Sequence, residues 1–291
     1  MENKQLQRIK TIREYHKVMG LSPPEHPLIS AINYEASNVP LTCKTQVSFV
    51  FDFYSIVLNR NFKGRTKYGQ QASDFDGGVL FFMSPGQVFS VDIDPGATEQ
   101  RSGYVLLIHP DFLWNTSLAK TIKKYEYFDY SVTEALHLST KEEKKIINII
   151  KSIQQEYHEN IDKFSQDIII AQLEVLLNYS ERFYQRQFIT RKKSNHTILD
   201  RLEDLLTDYF NGESLSKNGL PTVEYISEKL SISPSYLRGL LKTLTGQNTK
   251  QIIQDKLIEK AKERLSTTSL TVNEIAYEFG FEYPQSFQQT F

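Results

Sequence analysis

Side chains able to do acid–base, nucleophilic or metal chemistry are few and scattered in this chain of 291 residues. The six histidines, His16, His26, His109, His137, His158 and His196, lie far apart, and Cys43 is the one cysteine. That excludes an internal disulfide framework and a Cys-rich zinc site, and no His-x-His pair offers a start for a metal centre. A metal-dependent enzyme on a small barrel would need two histidines and a glutamate converging on one ion. Lone Ser, Asp and His residues form no nucleophile motif. No catalytic residue, cofactor or metal is therefore expected, and His109 before Pro110 reads as a core or hydrogen-bonded histidine. What remains is hydrogen-bonding chemistry in the last third. Arg238 can fork onto guanine, Gln285, Gln288 and Gln289 onto adenine, and Ser235 onto either base. Ser233, Tyr236 and Lys242 are candidates for phosphate.

The elements that must position these residues form a repeat. Val223, Ile226 and Leu230 mark one face of a short helix, Ser231 and Ile232 turn the chain, and Ser233-Pro234 opens a second helix as N-cap and first position. Leu237, Leu240, Leu241 and Leu244 face its core, and Gly246 ends it. Forty-nine residues on, Thr271-Val-Asn-Glu274 is a capping box, Ile275 matches Ile226, Phe279 matches Leu230, and Gly280-Phe281 supplies the turn. Pro284 opens another helix, in which Phe287 matches Leu237 if the second turn holds one more residue. Two short helices joined by a tight turn can set the second in the major groove. A continuous helix from Asn248 to Leu265 would fix the spacing of two such units.

Charge agrees locally. The whole chain has 34 Lys and Arg against 35 Asp and Glu, so no global basic excess advertises a nucleic acid. Between Lys229 and Arg264, however, eight bases (Lys229, Arg238, Lys242, Lys250, Lys256, Lys260, Lys262, Arg264) meet three acids (Asp255, Glu259, Glu263).

The first half reads differently. From about residue 27 to 115, Val47, Phe49, Phe51 and Phe53 alternate, and Val79–Met83, Val88–Ile93 and Tyr104–Ile108 follow, separated by Gly and Pro turns. This predicts a barrel-like double sheet. Thr140-Lys-Glu-Glu143 predicts the capped start of a helix with Ile146, Ile149, Ile150, Ile153 and Tyr157 in one stripe. A second helix from Ser165 carries Ile169, Leu173, Leu176 and Phe183. These stripes suit packing within the chain or pairing with a second copy. Arg191–His196 reads as a polar, basic linker. The polar first ten residues and the absence of a long apolar run favour a soluble, cytoplasmic protein.

At this point a resemblance can be named. Ile226-Ser227, Ser233-Pro-Ser-Tyr-Leu-Arg-Gly-Leu-Leu-Lys-Thr-Leu-Thr-Gly246, Ile275-Ala-Tyr-Glu-Phe-Gly-Phe281 and Ser286-Phe287 resemble the double helix-turn-helix domain of AraC-family bacterial transcription regulators. More loosely, the strand-rich half with its helical pair is similar to the cupin-like effector and dimerisation domain of many members. The resemblance implies an α+β chain with a cupin-like sensor and dimerisation domain at 1–190 and a DNA-binding domain at 191–291. It implies a homodimer on double-stranded promoter DNA, a small effector of unknown identity, and RNA polymerase as a further partner. Two departures stand out. Gly239 occupies a place where the family commonly has Arg, and members continue beyond Phe291, which predicts a truncated end. A ligand-binding or protein-interaction role, with a shortened helix-turn-helix that no longer reads DNA, is the competing expectation.

Overall fold

A computed structural model describes residues 6–37, 47–60, 77–91, 102–130, 134–159, 162–190, 192–212, 214–281 and 283–288. The chain divides into two compact units, Met1–Gln187 and Phe188–Phe291.

The first unit runs β1 (Leu6–Ile9), α1 (Ile12–Val18), β2 (Ile29–Asn33), α2 (Tyr34–Ser37), β3 (Val47–Phe51), β4 (Tyr54–Asn59), β5 (Val79–Met83), β6 (Val88–Val91), β7 (Gly103–Ile108), α3 (Ser117–Thr121), β8 (Leu136–His137), α4 (Thr140–His158) and α5 (Ser165–Thr190). Among the described residues the strands form two open sheets, β1-β3-β6 and β2-β7-β4-β5-β8, rather than the expected closed barrel. The break lies inside the alternating run around Phe51. Asp52 leaves the strand, its N–H donating to Ile9 O at 3.0 Å and its carboxylate accepting from Arg8 Nε at 2.9 Å. The chain then re-enters as β4 in the other sheet. Phe49, Phe51 and Phe53 still pack together, with Phe51 and Phe53 stacked at 5.2 Å and Tyr15 edge-on to both. β7 sits between β2 and β4, which is why Gly103–Ile108 is buried along its whole length.

The helices close this unit by specific polar contacts. Ser139, not Thr140, caps α4, and its box partner is Glu142. Glu143 has turned inward, where it accepts from Gly78 N at 2.6 Å and Arg60 Nε at 2.8 Å. At the far end of α4, Tyr157 Oη accepts from Ala31 N at 2.8 Å and donates to Ala31 O at 3.3 Å. It thereby takes the place of a neighbouring strand on the outer edge of β2. The apolar stripes of the two helices are spent inside the unit. Ile146, Ile150, Ile153, Leu173 and Leu176 are fully buried, Tyr157, Ile169 and Phe183 nearly so, and Ile149 half-buried. Of the two uses open to these stripes, packing within the chain is the one the structure makes of them.

The second unit is helical: α6 (Lys192–Asn211), α7 (Ser214–Asn218), α8 (Val223–Leu230), α9 (Pro234–Thr245), α10 (Thr249–Thr267), α11 (Val272–Glu278) and α12 (Pro284–Gln288). The expected linker is a helix from Lys192 onward. The buried Asn195 amide donates to Phe188 O, and Leu202, Leu206, Tyr209 and Phe210 join one core with Ile226, Leu230, Leu237, Leu241, Leu257, Ile275 and Phe287. Burial of each such side chain contributes about 1.5–3 kcal/mol.

His16 gives the first unit an acid sensitivity. Its Nδ1 lies 2.5 Å from Ser22 O and so donates, which leaves Nε2 to accept from Ser30 Oγ at 2.9 Å. Burial lowers its pKa below the ordinary 6.5, and burial does the same to His26. The fold thus holds neutral rings that the unfolded chain would protonate. Their contribution to stability is complete above about pH 6.5 and is lost as pH falls through the folded pKa values. His158, raised by its bond to Glu25, acts in the opposite sense but is solvent-exposed. Melting temperature followed from about pH 7.5 down to 5 should fall, and His16→Gln should flatten that slope. An equal slope in both proteins would remove His16 as its cause.

Candidate nucleic-acid interface

The two helical pairs in the second unit are built by the same local rules. Thr222 Oγ1 accepts from Tyr225 N at 3.1 Å to start α8, and Thr271 Oγ1 accepts from Glu274 N at 3.3 Å to start α11. Glu274 returns the bond by accepting from Thr271 N at 2.7 Å, and that backbone bond holds its carboxyl below the usual carboxylate range. After α8, Ser231 N donates to Glu228 O and Ile232 N to Ser227 O, both at 3.0 Å. After α11, Gly280 N donates to Tyr277 O and Phe281 N to Ala276 O, again at 3.0 Å. The sequence offset of 49 is thus an offset of individual hydrogen bonds. Both turns pass through the left-handed region, at φ 58° for Ser231 and 81° for Gly280.

Each turn delivers a second helix. Ser233 Oγ accepts from Tyr236 N at 3.1 Å, Pro234 takes the first position of α9, and Gly246 ends it at φ 74°. Ser235, Arg238 and Lys242 then follow at spacings of three and four along one face, with Arg238 and Lys242 exposed and Ser235 half-buried. Gly239 lies beside them within the helix, where it costs about 1 kcal/mol relative to Ala. On α12, Gln285 is exposed and Gln288 is the last residue of the helix. Gln289 lies outside the described residues. Ser233 acts through its cap, which aligns the N–H groups at the start of α9. Tyr236 is not at the surface. It is 4% exposed and packs edge-on against Phe188 at 5.1 Å, so its ring anchors α9 inward instead of meeting a phosphate.

Between the pairs, α10 is capped by Asn248 in a box with Gln251 and buries Ile253, Leu257 and Ala261. Nineteen residues span about 28 Å at 1.5 Å each, close to the roughly 34 Å between successive major grooves. Lys256 pairs with Glu259 at 3.0 Å, Lys260 with Glu263 at 2.6 Å, and Arg264 with Glu278 at 2.5 Å. Asp255 accepts from Gln247. The acids of this segment are therefore drawn onto α10. Lys229, Arg238, Lys242, Lys250 and Lys262 are all exposed, with Lys229 over the Tyr225 ring at 5.7 Å. The three-residue spacing of Lys256–Glu259 and Lys260–Glu263 is visible in the sequence, and the partner of Arg264, fourteen positions on, is not. The contribution of α6 and α7 to this unit was not.

Two helix-turn-helix units joined by one helix, the first with a Ser-capped second helix and a basic outer face and the second with an amide-bearing one, have the build of a DNA-binding domain. Residues 226–291 match the family described as "Helix-turn-helix domain". This segment is an AraC-type helix-turn-helix domain, which supports a DNA-binding transcription regulator. Of solved structures, the C-terminal domain of the two-component response regulator yesN from Fusobacterium nucleatum is 34% identical, over 31% of this chain and 90% of that one, with a TM-score of 0.26. A single-substitution variant of apo ToxT from Vibrio cholerae is 15% identical, over 90% of this chain and 91% of that one, with a TM-score of 0.27. No curated protein matches the chain.

The equivalent turns differ in what they tolerate. A Cβ on Gly280 would stand 2.8 Å from Leu215 O of α7, so both its positive φ and its surroundings demand glycine. Ser231 is exposed and bears the same conformation with a side chain. Gly280→Ala should cost at least about 1–2 kcal/mol, whereas Ser231→Gly should be neutral or stabilising by up to about 1 kcal/mol. Urea unfolding of the two variants measures both, and equal destabilisation would contradict this difference.

Proposed function

We propose that the chain is an effector-controlled regulator that binds promoter DNA as a homodimer. Each copy inserts α9 and α12 into successive major grooves. The repeated turn geometry supports this reading most strongly, because it presents two second helices at a separation fixed by α10. Ser235 and Arg238 on α9, and Gln285, Gln288 and Gln289 at the second unit, are the proposed base readers. Lys242 and the Ser233-capped helix start are the proposed phosphate contacts. Residues 1–190, the first unit with the rest of α5, are the proposed sensing and dimerisation domain, and RNA polymerase is the proposed downstream partner. DNA binding should weaken steeply with salt, since released counterions drive it. On a selected operator, Arg238→Ala should relax base preference by about 1–3 kcal/mol, while Lys242→Ala should weaken specific and random DNA alike and flatten the salt slope. Gel shifts across salt concentrations measure both. Equal losses on specific and random DNA in both variants would remove Arg238 as a base reader.

With the inner stripes buried, the proposed dimer contact moves to the outer face of α5. Phe164 just before the helix, then Ile168 and Val175, are 55%, 41% and 46% exposed, and with Ala171 they form one row. Ile168→Asp with Val175→Asp should lower the mass seen by light scattering from dimer to monomer without loss of helix content. A wild-type monomer at tens of micromolar, roughly where a functional dimer must persist, would contradict the proposal.

A further inference from the structure

Beyond that row, further along the same helix pair and adjoining its groove at Lys141, Lys145 and Tyr179, lies a cleft that the regulator reading does not use. It has a volume of about 330 Å³ and is walled by the start of α4 and the C-terminal half of α5. Four cations line it, Lys141, Lys145, Arg182 and Arg186, and one carboxylate, Glu142. That carboxylate is committed: it accepts from Ser139 N at 2.8 Å as the cap of α4 and holds Arg186 Nε at 2.8 Å. Three positive charges are left in excess.

The cleft is built rather than incidental. Arg186 is fixed from two sides, by Glu142 and by donation from Nη2 to His137 O at 2.8 Å, and its side chain is only 24% exposed. Burial lowers its pKa, so the fold already bears a cost for keeping this charge that a second anion would relieve. Lys145 Nζ rests 4.4 Å from the centre of the Tyr179 ring and 3.3 Å from its hydroxyl, which sets the ammonium at the wall. Lys141 and Arg182 are exposed, and among the described residues neither pairs with a carboxylate. The N-terminal end of the 19-residue α4 adds its own positive field. Tyr179 is stacked on Phe183 at 5.8 Å, and these rings give the cleft a dry floor on which charge–charge attraction is less screened than in water.

We infer that this cleft binds a small polyanion, a compound bearing two or more carboxylate or phosphate groups, and that this compound is an effector of the regulator. A monoanion would leave most of the charge excess uncompensated, and a cleft of this size suits a compact molecule. The effector role rests on the regulator reading above. It follows from position: α5 continues from Arg186 to Thr190, past the boundary between units after Gln187. Fixing Arg182 and Arg186 on a ligand stiffens the helix end that enters the DNA-binding unit, and a ligand that favours one arrangement shifts its population.

The test is calorimetric titration of the full chain with citrate, pyrophosphate and, as monoanion, acetate at constant ionic strength. Citrate or pyrophosphate should bind, and the tighter of the two identifies the carboxylate or phosphate class. Acetate should not. Lys141→Gln combined with Arg182→Gln should weaken binding about tenfold or more, while Lys151→Gln, on the same helix outside the cleft, should leave it unchanged. No heat from either polyanion at about 10 mM, a ceiling for a useful effector, would overturn the site. So would equal binding by the double variant, or an equal response to acetate. In parallel, the polyanion that binds should change affinity for a selected operator, and the double variant should lose that response. Polyanion binding with operator affinity unmoved would overturn the effector role. Polyanion binding by a chain that binds no DNA would instead overturn the regulator reading while leaving the site in place.

Discussion

The second unit depends on a backbone constraint: a helix that must stop and turn within two residues has to pass through the left-handed region. Ser231 and Gly280 do this, and the N–H groups of 231 and 232, and of 280 and 281, close back onto the last turn of the preceding helix. The angle between paired helices is set there, before any side chain of α9 or α12 is considered. Capping at Thr222, Ser233 and Thr271 then determines where each helix begins, hence which residues point outward. A face carrying Ser235, Arg238 and Lys242 is the consequence of where Ser233 caps.

Much of this was legible in the sequence because it is local. Ser-Pro starts, Thr-x-x-Glu boxes and Gly stops act over three or four residues, and those at Ser233, Thr271 and Gly246 form as their spacing predicts. Where a distant partner competes, the local pattern misleads. Thr140-Lys-Glu-Glu143 satisfies the box rule, yet Glu143 is claimed by Gly78 and Arg60, so the cap falls one residue earlier on Ser139. Period-two alternation through Phe53 was genuine as a burial pattern but could not reveal that Asp52 breaks the strand and sends the chain to another sheet. At a helix start, Tyr236 is a candidate for phosphate as far as the sequence goes. Only Phe188, 48 positions earlier, shows it to be an anchor.

The candidate interface was legible to the same depth. Residue types named the chemistry, and helix geometry placed Arg238 and Lys242 outward. The charge excess, however, was a sum, and sums do not say which charges cancel. Lys256 and Lys260 are paired with acids three residues on, while Lys250, Lys262, Arg238 and Lys242 are exposed. Likewise the stripes of α4 and α5 are legible as apolar faces, but a stripe does not say what covers it: for α4, β2 and β7 lie against it.

The bond between Tyr157 and Ala31 joins residues 126 positions apart, and the one between Glu143 and Gly78 joins residues 65 apart. Such contacts are made late, because a long stretch of chain must be closed before they repay its entropy. On a ribosome, the edge of β2 has no cover until α4 has emerged, so the sheets wait, partly open, for most of the first unit to be synthesised. The helical unit faces no such delay: its caps and turns form from neighbours within a few residues. The slow step in making this protein thus falls in its first half, and that is where a nascent chain most needs protection from other exposed strand edges.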